Sequence, residues 1–181
     1  STDGNLTILA DVTSASIISA AETASVSAGL VGLSGGGINI TNNIANTVNA
    51  DLSGNLIIET IGDIEVKADE QAYMKAEALS LVASFSLGAA VGASVISNAA
   101  DSDIAATITG TTINTYGNNV DIFGDIDVVA NSILDIDKTS TAGISGSLIG
   151  VTVNTANATA KNTVKAAING SNIHASGTVT V

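Results

Sequence analysis

The chain of 181 residues contains no cysteine, no proline and no tryptophan, and only two phenylalanines, two tyrosines and one histidine. Without cysteine there is no disulfide framework, no thiol nucleophile and no cysteine-ligated zinc. With so few large aromatics to fill gaps between layers, its hydrophobic 45% is almost all Ala, Val, Ile and Leu, which suits a narrow, regular interior. Basic residues are scarce too. Five Lys plus Arg against 17 Asp plus Glu give a formal charge of −12, so the footprint of a nucleic-acid binder is missing, and docking on anionic lipid headgroups is disfavoured. The single histidine, His174 in "SNIHASG", has no cysteine or second histidine with which to build a metal triad. It reads as an exposed strand-end residue, and no enzyme activity is expected.

What is present is repetition. "GNLTILA" at 4–10 returns as "GDIEVKA" at 62–68 and "GDIDVVA" at 124–130, spacings of 62 − 4 = 58 and 124 − 62 = 62 residues, and "GTVTV" follows at Gly177. A second marker keeps step: "NTVNADLSG" at 46–54, "SDIAATITG" at 102–110 and "NTVKAAING" at 162–170. A third, Gly-rich and apolar, precedes it from Ala28, Leu87 and Ala142. Three markers in one order, three times over, predict repeats 4–61, 62–123 and 124–181 within a single segment.

Inside the repeats the apolar period is two. Leu6, Ile8 and Ala10 alternate with polar or outward neighbours, as do Ala24, Val26, Ala28 and Leu30, and Val164, Ala166 and Ile168, the pattern of half-buried strands. "SGGG" at 34–37, "TNN" at 41–43 and "YGNN" at 116–119 mark corners. A sandwich has no reason to repeat its own sequence, whereas stacked turns place the same strand above itself. The predicted fold is all-β, a right-handed parallel β-helix (β-solenoid), with each repeat divided into about three turns of roughly twenty residues around a dry centre. The rival is a helix over Glu70–Phe85, where Ala72, Ala76, Leu79 and Ala83 share one helical face. The matching passages of the other repeats are too rich in Ser, Thr and Ile to be helices, so strand is expected there as well.

The succession "GNLTILA … SVSAGLVGLSGGGINITNNIANTVNADLSG" resembles the repeat region of large secreted bacterial surface proteins of the filamentous-haemagglutinin and leukotoxin-like adhesin group. The likeness extends over essentially the whole chain and rests on structural phrases of Gly, Ala, Val and Asn. It implies a secreted or cell-surface rod, non-enzymatic, that spaces or displays binding regions; its partners would be flanking repeats and a host or cell-surface receptor. The alternative is a subunit that stacks end to end into an extracellular fibre or sheath, since no capping helix or charged terminal turn is visible. Opening at Ser1 with no initiator Met and no leader, the chain is expected to be a piece of something longer.

Other features carry weaker expectations. Leu79–Ala100 is charge-free and includes Gly88 and Gly92 in a G-x-x-x-G, the basis of a third reading as a membrane-active, toxin-like passenger. Matching passages rich in Asn and Thr disfavour it. Asp63/Glu65, Asp101/Asp103, Asp125/Asp127 and Asp135/Asp137 would each sit about 7 Å apart on one strand face, where calcium could bridge neighbouring turns. The Gly-rich, Asp-bearing nonapeptide of calcium repeats is absent, so a solvated acidic face is preferred and no cofactor is expected. Glycosylation triplets at Asn39, Asn157 and Asn169 are what chance supplies in such a composition.

Overall fold

Sustained alternation with no proline to interrupt it allows strands far longer than the usual five or six residues. The structure, a computed structural model, describes residues 4–60, 62–85, 87–115 and 124–181. The predicted Tyr116–Asn119 corner and the repeat ends at 61 and 123 lie outside them. The first repeat supplies β1 (Leu6–Ser27), a second long strand broken into β2 (Leu33–Ile44) and β3 (Thr47–Ser53), and the short β4 (Ile57–Glu59). The second supplies β5 (Ile64–Ser84), β6 (Ala89–Thr109) and β7 (Thr112–Thr115). The third supplies β8 (Ile126–Gly146), β9 (Ile149–Asn169) and β10 (Asn172–Ala175), followed by β11 (Val179–Thr180). The described residues contain no helix, and the rival helical stretch lies in β5.

All pairings are parallel. One long sheet runs β1-β5-β8-β11; a second has β6 at its centre, with β2 and β3 along one edge and β9 along the other; a short sheet runs β4-β7-β10. Leu6 pairs with Ile64, Ile64 with Ile126, and Ile126 with Val179, so the chain visits the three sheets in one order, three times. This corrects the expected division of each repeat into several turns. Each repeat contributes to all three sheets, the first giving β2 and β3 together to the second, and corresponding strands of successive repeats pair directly, because β5, β6, β8 and β9 each continue for 21 residues where two corners were expected.

The interior is graded. Beside the short sheet, Ile64, Val66, Ile104, Ile108, Ile113 and Ile126 form the largest buried cluster, drawn from all three sheets. Farther along lie Ile44, Ala72, Met74 and Ala100, then Ile40, Ala76, Ala78 and Ile96. Near the bend between the long sheets Val82 stays wholly buried, and around it the inward residues shrink to Ser80, Ser94 and Gly92. A Cβ on Gly92 would stand 3.1 Å from Ser80 Oγ and 3.2 Å from Val82 Cγ2, so the sheets approach closely only because that side chain is missing. The centre is also less dry than expected, since Asn42, Glu70, Asn98 and Ser102 are buried in it.

A bulge changes which residues point inward. In β1, Thr13 and Ser14 together oppose Gln71, between the pairs Val12–Glu70 and Ala15–Ala72. The extra residue transfers every later side chain to the other face. Thr23 and Ser25 therefore face the interior, while Val26 is 62% and Leu30 93% exposed. The expectation that Ala24, Val26, Ala28 and Leu30 mark the inward face is overturned there; Val164, Ala166 and Ile168 do lie in the inward columns of Ile104, Ala106 and Ile108.

Candidate functional site

The recurring Gly-Asn/Asp phrase builds a corner ladder. Asn5 Oδ1 accepts the Asp63 amide at 2.9 Å, Asp63 Oδ1 the Asp125 amide at 3.0 Å, and Asp125 Oδ1 the Thr178 amide at 2.6 Å. Each circuit thus holds the backbone of the next at the point where the first long sheet begins. The preceding glycine leaves room for that side chain. A Cβ on Gly62 would run into Asn5 Oδ1 and stand 2.7 Å from the Gly4 carbonyl carbon, and one on Gly177 would run into Asp125 Oδ1. The glycines ending the second marker have another cause: Gly54, Gly110 and Gly170 have φ of 113°, 65° and 56°, a backbone that side chains disfavour.

Between the long sheets lies a second polar arrangement, absent from the sequence reading. Glu70 is buried and its Oε1 accepts from Asn46 Nδ2 and Ser102 Oγ, both at 2.7 Å; its Oε2 accepts from Ser132 Oγ at 2.7 Å, which in turn accepts from Asn162 Nδ2 at 2.8 Å. A carboxylate removed from water is tolerable when neutral donors satisfy it. This one links all three circuits and both long sheets. Ser19 Oγ, Asn42 and Asn98 form a shorter chain, at 2.8 and 3.0 Å. The alternation running from Ile64 through Val66 and Ala68 to Ala72 and Met74 carries Glu70 inward, so a signal for it exists in the sequence.

The paired carboxylates are dispersed along the surface. Asp63 and Asp125 serve the corner ladder, and Asp101 and Asp103 are exposed on the second long sheet. Asp135 and Asp137 are exposed on the first, where Asp137 accepts from Tyr73 Oη at 3.2 Å. Burial, then this bond, raises the phenol above its ordinary value. Among the described residues no group of three or more His, Asp and Glu side chains is placed to hold a metal ion. Lys67 Nζ lies 2.6 Å from Asp69, and Asn131 Nδ2 donates to Asp69 at 2.9 Å. Burial pushes the Asp69 carboxyl up, but these two bonds outweigh it and hold it below the usual range, while Asp69 raises Lys67. Bonds from Ser53 and Thr107 hold Asp51 low.

His174 is exposed on β10, paired with Asn114. Gly88 and Gly92 lie at the bend and on β6, not on a helix, and no helix among the described residues is long and apolar enough to cross a membrane. Beside the β1 bulge an open groove of about 260 Å³ is bordered by Thr13, Gln71, Tyr73, Ile133 and Asp135. It offers one exposed carboxylate and no second acid opposite, as hydrolysis by a carboxylate pair would need. No family model, curated protein or solved structure matches the chain.

Proposed function

We propose that the chain is a non-enzymatic rod segment, a β-solenoid of three wide turns within a secreted or cell-surface shaft of the adhesin kind. The single observation behind this reading is the state of the last turn. Val164 on β9 is 47% exposed, while Ile104, one position below it in the same inward column, is wholly buried. The same inward column is dry where a neighbouring repeat covers it and wet where none does, and repeat proteins owe much of their stability to the interface between neighbours. Another turn laid on β8 and β9 would bury that column. The test is to append one more copy of residues 124–181 and measure the urea midpoint. A clear rise, with the added turn unfolding cooperatively with the rest, supports the shaft; an unchanged midpoint sinks it.

The second reading, copies stacking end to end into a fibre, has one specific observation in its favour. Asp11, Asp69 and Asn131 share a column, and Asn131 bonds Asp69. Continuing that register would set Asn131 of one copy beside Asp11 of the next. Negative-stain images should then show fibres with an axial repeat of about 14 Å, three strand spacings of ~4.8 Å. Monodisperse particles at high concentration leave only the shaft.

A further inference from the structure

The three bends that join the long sheets stack directly. Phe85 N donates to Ser27 O at 2.9 Å, Ala89 N to Gly32 O at 3.1 Å, and Ile149 N to Gly88 O at 3.4 Å. Stacking lines up their outward side chains into an apolar stripe along one narrow edge: Leu30, Leu33, Phe85, Leu87, Leu148 and Ile149, of which Phe85 is 76% and Leu148 73% exposed. Together these six expose on the order of 800 Å², comparable with one partner's share of a standard stable interface and well above the scattered apolar residues of a monomer's surface.

Charge is sorted to match. Residues 23–50, 78–100 and 139–160, the portions of each repeat that flank the bend, contain no Asp, Glu, Lys or His. The nearest ionisable groups on β1 and β5, Glu22 and Glu77, stand five and seven residues before those strands end at Ser27 and Ser84. That is roughly 16 Å or more along the strand, beyond a Debye length at physiological salt. Among the described residues the charged side chains therefore lie away from this edge.

From these two observations we infer that the bend edge is the seam on which a second copy of this chain pairs, side by side. A two-fold pairing of this kind buries the stripe of each copy against the other and points the acidic portions in opposite directions. A lateral approach through the acidic portions instead would set like charges closer together. A lipid surface fits less well, because the stripe has no flanking Trp, Lys or Arg to meet headgroups. The pairing is lateral and so goes beyond the rod reading; stacking would lengthen the seam, and two rods would run abreast.

Sedimentation velocity tests this in the Ala158→Lys/Val164→Lys background, which places charge in the open inward column of β9 and removes end-to-end growth. In that background a concentration-dependent dimer is expected. Adding Leu30→Lys, Phe85→Lys and Leu148→Lys should weaken it at least 100-fold while circular dichroism stays unchanged. Should the lysines disturb the bend, serines at the same three positions serve instead. A chain that stays monomeric at high micromolar concentration overturns the proposal, as does a dimer indifferent to the edge substitutions. Edge-dependent flotation with phosphatidylcholine vesicles, without dimerisation, overturns it in favour of lipid. The rod reading is judged separately, by the urea midpoint of the lengthened chain.

Discussion

The two narrow edges of the molecule are built on opposite plans. One carries its own strands, β4, β7 and β10, and beneath them the Ile-rich cluster that includes Ile64, Ile104, Ile113 and Ile126. The corner ladder of Asn5, Asp63 and Asp125 begins beside it. The other edge has only bends, a thin interior of Ser, Gly and Ala around the buried Val82, and most of its large apolar residues on the outside. Bulky inward side chains hold two sheets apart and call for a third wall, whereas small ones let the sheets meet and need none. The first edge is closed from within; the second leaves its hydrophobic surface for something else to cover.

The largest effect should come from the closed edge. Ile104→Ala or Ile64→Ala is expected to cost about 2–5 kcal/mol, while Leu30→Ala at the open edge costs less than about 0.5 kcal/mol, read from urea midpoints of the Ala158→Lys/Val164→Lys background at concentrations too low for pairing. Equal losses would break the comparison. Next is the polar link midway between the edges. Glu70→Ala leaves donors of Asn46, Ser102 and Ser132 unpaired and should cost about 2–3 kcal/mol, with Glu70→Gln recovering part of it. If Glu70→Ala proves neutral, the carboxylate is not what ties the sheets together.

Gly62→Ala, which sets a methyl against Asn5, is expected to cost about 1–3 kcal/mol. The same change at Gly170, where a Cβ meets nothing within 4 Å, should cost only the strain of its positive φ, roughly 1 kcal/mol. Serines sharpen the contrast further. Ser80 and Ser94 hydroxyls near the bend are buried with no hydrogen-bond partner, so replacing either by Ala should raise stability by about 1 kcal/mol, whereas Ser102→Ala should lower it by a similar amount. Loss of stability at all three positions would mean that the interior near the bend is better satisfied than its geometry indicates.

The smallest effect is on pH dependence. Asp51 and Asp69 have carboxyls held low in the fold, so the stability they add is present above the ordinary aspartate value near 3.9 and is lost as pH falls through their depressed values. Thr107→Ala and Asn131→Ala remove the respective donors and should flatten the acid limb of the urea midpoint against pH. Lys67, raised by Asp69, acts in the opposite direction: its contribution holds below about pH 10.4 and is lost as pH rises through the raised value.

The repetition, the all-β character and the parallel stacking were legible because each leaves a periodic trace. The Gly-Asp phrase is visible for a steric reason, since a side chain from one circuit occupies the space where the next would place a Cβ. The length of a circuit was not legible. A period of two states that a residue is in a strand but not where the strand ends, and β5 and β6 continue through passages without Pro. One inserted residue at Thr13–Ser14 reversed the face for the rest of β1, so Val26 and Leu30 looked like core. Glu70 lay in a stretch resembling a helix, which masked the alternation that carries it inward; the column it shares with Val12 and Ser132 reveals its partners.

Each corner is tied in both directions. The side-chain oxygens of Asn5, Asp63 and Asp125 receive an amide from the following repeat, while the carbonyls of Asp63, Asp125 and Thr178 receive the Leu6, Ile64 and Ile126 amides of the preceding one. Neighbouring repeats are therefore clasped reciprocally at this edge, and neither can peel away without giving up a bond in each sense.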